Sequence, residues 1–506
     1  MLTDLTFLTT GAPWPPTAEK ARLATYEANR KLFEAEHAGL KSGVFKEAFS
    51  RIMRDTNASG EPMPPTSYEM VINYPKLITV ATAGLLFNKA PGIVAGKESD
   101  TQAMLAAQDI AERSDLQETL YASAMDVSRY GDGLLYVHRG EDGKGIVDIT
   151  RPDVWFPIVD GANIRKILYH VLATPYTKTD SGILGVESTK HYLRVEIHSK
   201  GSVEVRDYTL RVNNLDSAPG QQVTGAAQIG AMVGTPRVEK TGLTDFAVVP
   251  VHNLRPSDRV HGIDDYTDIQ SLVCELEVRM AQIAKVLDRH SDPTMQGPEE
   301  ALTTVKDKDG NEYRMFLPGQ YYVNQAGGVQ GEIKYTTWDA QLDANFKLID
   351  KIIEQIRVIS EMGALLSDLS EKSGAIPSGA AMRRMLYSAI GKVSRIRNRF
   401  TAAIKKALVQ ASLLDGDSLV DKPLYIDWPD TLPRDPKELA EIASMRTGGK
   451  QTQSTKRAIM EQDELSEDEA EAELESILDE QASSMTLLEP ANTPPEDGSG
   501  GGGEGV

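Results

Sequence analysis

The chain has 506 residues, of which 40% are hydrophobic and 25% are charged. This composition is typical of folded proteins and excludes a wholly disordered chain, and the length allows several packed units. The formal net charge is −20, but fifteen acidic residues and no Lys or Arg lie between 461 and 506, so residues 1–460 carry only −5. The net charge therefore does not exclude contact with nucleic acid.

The sequence contains no membrane or secretion signal. Its longest apolar run, residues 77–87, is too short to cross a bilayer core of about 30 Å. The N-terminus lacks a basic region and carries Asp4, which argues against a signal peptide. The only cysteine, Cys274, excludes a disulfide framework or a multi-cysteine metal site, and we expect it to be a small buried side chain.

Residues 1–262 mix helix and strand patterns and predict an α+β region. An amphipathic helix is predicted within AEKARLATYEANRKLFEAEH. Further along, GLLYVHR and GIVDITR flank GEDGKG, whose Gly and Asp residues favour a hairpin turn. Several strand-like runs follow, up to FAVVPVHNL.

Two long helices are predicted next, with a short turn-rich segment between them. The first begins at about Asp264, within GIDDYTDI, and ends before Pro293, and Asp264, Asp265 and Asp268 at its start suit the helix dipole. The second runs from Asp339 to about Leu369. The apolar residues at helical spacing are Ile269, Leu272, Val273, Leu276, Met280, Ile283 and Leu287 in the first helix, and Leu342, Phe346, Ile349, Ile352, Ile353, Ile356, Ile359, Met362 and Leu366 in the second.

A loop rich in Ser and Gly, EKSGAIPSGAAMRRM at 371–385, precedes a third long helix that reaches about Gln410, with Ser378 as its expected N-cap. Residues 372–414 contain no acidic residue. The basic residues there are Lys372, Arg383, Arg384, Lys392, Arg395, Arg397, Arg399, Lys405 and Lys406. They favour a solvated face or ion pairs with neighbouring subunits; direct contact with phosphates and docking of a partner are the alternatives.

After this helix the sequence predicts a strand, a proline-marked break, acidic helical segments and a disordered end. No enzyme motif is found. GEDGKG and KDKDGNE lack the spacing of calcium ligands, and Ser444 stands where a phosphate-binding loop needs glycine. Asp427 and Asp430 favour a structured turn over an acid/base pair. We therefore expect no catalytic residues, metal or cofactor.

This order of parts resembles the portal proteins, or head-to-tail connectors, of tailed bacteriophages. The resemblance covers about residues 65–480. It rests on NYPKLITVATAGLLFNKAP, DVSRYGDGLLYVHR, GIDDYTDI, SGAAMRRM and DWPDTLPRDPKELAEIA, which occur in the family's order.

The resemblance implies the portal fold, an α+β fold with wing, two-helix stem, small α/β clip, tunnel loop and helical crown. The implied boundaries are 1–262 for the wing, 263–292 for stem helix 1, 293–338 for the clip, 339–369 for stem helix 2, 370–379 for the tunnel loop, 380–432 for the long wing helix and closing strand, 433–482 for the crown, and 483–506 for a disordered acidic, glycine-rich tail.

The resemblance also implies a homododecameric ring at one capsid vertex, assembled in the host cytoplasm, with a channel for packaging and ejecting double-stranded DNA. The implied partners are the terminase large subunit, which hydrolyses ATP, head-completion or adaptor proteins, and the major capsid and scaffolding proteins. The residues expected nearest the DNA are Glu371, Lys372, Ser373, Gly374, Ala375 and Ile376. Arg383 and Arg384 are further candidates for contact with DNA or a neighbouring subunit.

Two other classes remain open at this stage. One is a structural or assembly protein of the virion without a channel. The other is a nuclease with Asp427 and Asp430 as metal ligands.

Overall fold

The computed structural model describes residues 1–37, 70–97, 100–181, 187–212, 227–291, 295–297, 303–306, 312–315, 321–323, 334–335, 342–363, 384, 386–416, 418–429, 436–448, 451–463, 465 and 467–486. These residues form two compact units. The larger contains the described residues of 1–376 and 384–431, and the smaller contains those from 432 onward.

The larger unit contains both helices and strands, as the predicted α+β region does. Its α-helices are α1 (Lys20–Phe33), α2 (Tyr74–Phe87), α3 (Thr101–Arg113), α4 (Leu116–Tyr130), α5 (Gln270–Ser291), α6 (Leu342–Ile359) and α7 (Tyr387–Asp415). Short 3-10 helices span Thr6–Leu8, Thr17–Glu19 and Pro152–Val154.

The strands of the larger unit are mostly antiparallel. They are β1 (Pro13–Trp14), β2 (Gly92–Ala95), β3 (Asp132–Arg139), β4 (Gly145–Ile149), β5 (Trp155–Val159), β6 (Ile167–Ser181), β7 (Glu187–Ser199), β8 (Ser202–Val212), β9 (Ala227–Lys240), β10 (Val248–His252), β11 (Met295–Gly297), β12 (Thr303–Lys306), β13 (Glu312–Met315), β14 (Tyr321–Val323), β15 (Lys334–Tyr335) and β16 (Leu424–Asp427).

The strands form five sheets. The largest has the order β1-β9-β8-β7-β6-β5, and a second has the order β10-β3-β4. The other three are β14-β11-β15, the hairpin β12-β13 and the ribbon β16-β2. The predicted hairpin is confirmed, because β3 and β4 pair antiparallel around GEDGKG and Gly143 has a φ of 77°. The pairing of β12 with β13 likewise makes KDKDGNE the connection of a hairpin.

The largest hydrophobic core lies between the β10-β3-β4 sheet and α7. Phe400 and Leu408 on this helix are buried against Leu120 of α4 and Leu135 of β3. Phe400 meets the ring of Phe87 edge-on, with centroids 4.9 Å apart. The third predicted helix is therefore a core element of the larger unit.

The two long helices α5 and α6 share a core of their own, as their apolar stripes predict. Its buried members include Val273, Leu276, Ile352 and Ile356. Three predicted stripe residues are instead exposed in the single chain, namely Leu287 (52%), Phe346 (47%) and Ile359 (42%). Cys274 is buried, as expected.

Several predicted helix boundaries differ from the observed ones. The second long helix, predicted to reach about Leu369, ends at Ile359, and Glu361 just beyond it has a φ of 61°. Ser378, the expected N-cap of the third helix, lies outside the described residues.

The third helix continues beyond Gln410 to Asp415, since only Gly416, with a φ of 117°, terminates it. The first long helix begins at Gln270 rather than within GIDDYTDI. The cause is Asp264, whose side chain accepts hydrogen bonds from the backbone N–H groups of Tyr266 and Thr267 and holds a turn there.

The smaller unit contains three helices in its described residues, α8 (Pro436–Thr447), α9 (Thr455–Asp463) and α10 (Glu467–Thr486). Ala458 and Ala470 are buried, and Lys456 forms an ion pair with Glu471 at 2.6 Å. Helix α10 extends four residues into the segment predicted to be disordered, because no Pro or Gly interrupts the chain before Pro490.

Candidate functional site

The residues predicted to face DNA lie mostly outside the described residues. This applies to Glu371, Lys372, Ser373, Gly374, Ala375, Ile376 and Arg383. Arg384 is described, and its side chain is exposed. Their assignment stays a prediction, and the structural information comes from the helices on either side, α6 and α7.

The end of α6 is attached to the beginning of α7. The Lys392 ammonium donates a hydrogen bond to the Ser360 carbonyl oxygen at 3.4 Å. Glu361 forms an ion pair with Arg395, and Met362 is fully buried. The chain is thus held by α7 up to Met362, at the end of the described residues that precede the predicted tunnel loop.

A buried ion pair connects the acidic start of α5 to the basic helix α7. Lys392 Nζ lies 2.8 Å from Asp265 Oδ2, and both side chains are at least nine-tenths buried. Asp265 also accepts hydrogen bonds from Ser128 Oγ at 2.6 Å and Asn253 Nδ2 at 2.8 Å. From the sequence we expected Asp265 to interact with the dipole of α5. In the structure it lies in a polar network between α4, α5 and α7.

This network extends into α2. The hydroxyl groups of Thr79 and Ser128 are 3.1 Å apart, and Thr79 Oγ1 is 2.6 Å from the Tyr266 hydroxyl. Thr79 and Ser128 are completely buried, as is Tyr266. Satisfied buried networks of this kind fix the relative positions of the elements that contribute to them. Here they fix the start of α5 against α2 and α4.

Most of the described positive charges on α7 have partners within the chain. Lys406 forms an ion pair with Asp245 at 2.8 Å. Arg397 donates to the Pro429 carbonyl and stacks over the Trp428 ring, while Lys405 lies over the Tyr425 ring. The predicted solvated or intersubunit role is therefore wrong for Lys392, which is buried and paired within its own chain. Lys406 is also paired within the chain, but its side chain remains 36% exposed.

A second buried cluster surrounds Asp132, at the start of β3. Its carboxylate accepts hydrogen bonds from Nδ1 of His252 (2.6 Å) and of His261 (2.9 Å), from the Gly262 N–H (2.8 Å) and from the Tyr26 hydroxyl (3.1 Å). Burial would raise the pKa of Asp132, but the hydrogen bonds from the two histidines hold it well below its usual range. The carboxylate therefore anchors the segment 252–262 that leads to α5.

Two glycines allow this close approach. Gly131 has a φ of 82°, and a Cβ on Gly131 or Gly262 would clash with the backbone of the other. The Asn253 N–H donates to the Gly131 carbonyl at 2.8 Å. This contact explains why Gly131, the first glycine of DVSRYGDG, is a glycine, since only glycine combines that φ with such close packing.

Glu19 adds a further charge beside the Asp132 cluster. Burial raises its pKa, but the contacts with His261 and Arg22 outweigh burial and lower the pKa to about 2. Arg22 Nε donates to Glu19 at 2.7 Å and extends to the carbonyl oxygens of Pro152 and Trp155. The N-terminal segment is thereby attached to the start of β5 and to the 3-10 helix before it.

Within the described part of the chain, no group of three or more His, Cys, Asp or Glu side chains could hold a metal ion. Asp427 lies at the end of β16, and Asp430 lies outside the described residues. No helix among the described residues is long and apolar enough to span a membrane.

The comparisons with known proteins agree with this arrangement of parts. A family model described as phage portal protein, SPP1 Gp6-like, matches residues 16–486. The match covers most of the chain, which therefore belongs to this family of phage portal proteins. The family resemblance stated from the sequence is confirmed.

Two solved structures are also similar. One is described as the neck of a native GTA particle computed with C12 symmetry, with 13% identity, coverage of 89% of this chain and 95% of the other, and a TM-score of 0.40. The other, the neck of an empty GTA particle computed with C6 symmetry, has the same identity and coverage and a TM-score of 0.39. A search of curated proteins found no significant match.

The buried pair leads to a prediction for Lys392. We expect Lys392→Met to lower the free energy of unfolding by about 3–5 kcal/mol, because Asp265 would remain buried without its counter-charge. The double variant with Asp265→Asn should recover part of this loss. Urea unfolding followed by circular dichroism measures the effect. Arg395→Ala, which breaks an exposed pair on the same helix, is the control and should cost at most about 1 kcal/mol; equal losses would contradict the prediction.

A second prediction concerns pH. The folded pKa of Glu19, about 2, lies below its ordinary value of 4.5. Ionised Glu19 therefore stabilises the folded chain above pH 4.5, and this stabilisation is lost as the pH falls towards 2. We expect Glu19→Gln to be less stable by about 3 kcal/mol at pH 7, with the deficit shrinking below pH 4.5. Urea unfolding across this range should show it, with the exposed Glu34→Gln as control. A deficit that does not change with pH would contradict the prediction.

Proposed function

We propose that this chain assembles into a ring at one vertex of the capsid and forms the channel through which double-stranded DNA enters and leaves. Membership of the phage portal protein family over residues 16–486 carries this proposal. The ring would have twelve subunits. The protein would be a component of the virion, assembled in the host cytoplasm.

Exposed apolar side chains on the α5/α6 pair support assembly. Leu287 on α5 is 52% exposed, and Phe346 and Val358 on α6 are 47% and 62% exposed. Apolar side chains that stay exposed on packed helices are available for contact with another subunit. We propose that these side chains contact the same helix pair of neighbouring copies.

The charge distribution supports passage of DNA without tight binding. Phosphate contacts by Lys and Arg dominate the affinity of proteins for DNA. In this chain, several basic side chains of α7 are engaged in ion pairs and ring contacts within the subunit. A mildly acidic wall with few accessible cations would let a duplex slide.

We further propose that Glu371, Lys372, Ser373, Gly374, Ala375 and Ile376 form a tunnel loop that faces the DNA. The contacts of Ser360 and Glu361 with α7 support this, because they give the loop a fixed base. Arg383 and Arg384 would lie at the end of the loop and contact DNA or a neighbouring subunit.

The remaining partners belong to the same proposal. Residues 293–338 would dock the terminase large subunit during packaging and head-completion or adaptor proteins afterwards. The capsid and scaffolding proteins would surround the ring. The terminase would supply ATP hydrolysis, and this chain would have no catalytic activity of its own.

The ring itself is the first test. We expect electron microscopy of the purified full chain to show closed rings with an axial pore wide enough for a duplex about 20 Å across. Monomers or pore-free assemblies would contradict the proposal and favour a structural protein without a channel. Cleavage of DNA with Mg²⁺ or Mn²⁺ would favour the nuclease alternative.

Deletion of residues 372–377 tests the tunnel loop. Because the loop base is held by contacts outside the deletion, we expect rings to form normally while packaging of DNA or its retention in the filled capsid fails. The amount of nuclease-protected DNA in assembled particles measures both packaging and retention. Deletion of residues 497–503 in the Gly-rich tail serves as the control. Unchanged packaging and retention after the loop deletion would show that the loop does not act on DNA.

A further inference from the structure

Two arginines from different elements converge on one histidine. Arg255, which follows β10, places Nη1 2.6 Å from His252 Nε2, and Arg399 of α7 donates from Nη1 to the His252 carbonyl oxygen at 3.0 Å. Both side chains are partly buried. His252 therefore brings two guanidinium groups together at the surface between β10 and α7.

His252 contributes no negative charge to this site. Its Nδ1 donates to the Asp132 carboxylate at 2.6 Å, which leaves Nε2 to accept the hydrogen bond from Arg255. Asp132 is the nearest buried carboxylate, but both of its oxygens already accept hydrogen bonds from other groups. In the part of the chain that the structure describes, the two guanidinium groups thus donate hydrogen bonds to a ring nitrogen and a carbonyl oxygen of His252, and to no carboxylate.

Several partly buried arginines of the chain are paired directly with carboxylates. Arg22 is paired with Glu19, Arg113 with Asp415 and Arg129 with Asp126. Among the described residues, no carboxylate oxygen lies within ion-pair distance of Arg255 or Arg399. Burial of a guanidinium without a directly paired carboxylate is costly, so this pair differs from those three arginines.

The charge of a third guanidinium acts on Arg255. Burial lowers the pKa of Arg255 and the charge of Arg165 lowers it further, while the charge of the buried Asp132 raises it. Burial also lowers the pKa of Arg399, and the charges of Arg395 and Arg255 lower it further. Arg395 forms an ion pair with Glu361, whereas Arg165 has no carboxylate partner among the described residues. Arg255 and Arg399, which share His252, therefore form the core of a cationic cluster that the charge of Arg165 extends, named here the arginine cluster.

We propose that the arginine cluster binds a carboxylate of a second copy of this chain, which completes the site when the ring closes. This inference rests on the proposed ring. The planar, forked guanidinium groups suit a carboxylate, and the chain carries 74 Asp and Glu residues against 54 Lys and Arg.

A second copy is favoured over DNA by the depth of the site. Two of the three guanidinium groups are partly buried against His252, so they suit one inserted side chain better than a rigid duplex backbone. Tight phosphate binding would also slow a duplex moving through the channel. The cluster would therefore act in ring assembly and not in DNA contact.

Assembly of the double variant Arg255→Gln/Arg399→Gln tests the proposal. Mass photometry across protein concentrations measures the midpoint of ring formation. We expect this midpoint to rise at least tenfold in the double variant, and the wild-type midpoint to rise between about 0.1 M and 1 M NaCl as salt screens the contact. Arg259→Gln, an exposed arginine of the same segment, is the matched control and should assemble like the wild type. Circular dichroism must show that each variant is folded.

A cross-linking experiment applies even if the double variant does not fold. Arg255→Lys keeps the charge and adds an amine that a carbodiimide can join directly to a touching carboxylate. Rings mixed from light and heavy-isotope subunits should yield cross-linked peptides that combine both labels. Absence of such mixed peptides would contradict the proposal.

The remaining outcomes separate the possibilities. Normal assembly of the double variant with weaker binding to a duplex in fluorescence anisotropy would assign the cluster to DNA and overturn the proposal. Wild-type rings together with an unchanged midpoint in the double variant would overturn it while leaving the proposed function intact. A wild-type chain that remains monomeric would contradict both.

Discussion

The larger unit depends on one buried ion pair between segments more than a hundred residues apart. Asp265 precedes α5, Lys392 lies in α7, and their contact is enclosed by the hydroxyl group of Ser128 and the amide of Asn253. A buried charge pair stabilises little by itself compared with apolar packing, but it tolerates few alternative arrangements. The ion pair therefore mainly specifies position. It determines where α5 begins and how α5 is oriented towards α7, the helix of the main core.

Much of this architecture could be predicted from the sequence because it follows from periodicity. The spacing of Val273, Leu276, Ile352 and Ile356 predicts two helices with facing apolar stripes, and these residues form their shared core. The hairpin around GEDGKG follows from local turn chemistry. The family could be predicted because such elements occur in a characteristic order. Each of these signals is local or periodic, so one sequence is sufficient to detect it.

The polar sites could not be predicted, because their members are distant in sequence and share no spacing. Nothing in GIDDYTDI distinguishes Asp264, which holds a turn, from Asp265, which meets Lys392. The basic residues between 372 and 414 suggest a positive surface only when their neighbours are unknown. Folding brings Asp245, Trp428 and Tyr425 to them. Similarly, Asp132 gains its significance from His252 and His261, which follow it by more than a hundred residues.

The attachment of Ser360 and Glu361 to α7 has a consequence for how such a protein can diversify. When the start of a loop is held by contacts outside it, lengthening the loop costs mainly closure entropy, about 0.6 kcal/mol for each doubling of its length. The proposed tunnel loop would thus change in length and sequence with little effect on folding. In a symmetric ring each such change would recur in every copy, so a single codon would alter the whole circumference at once.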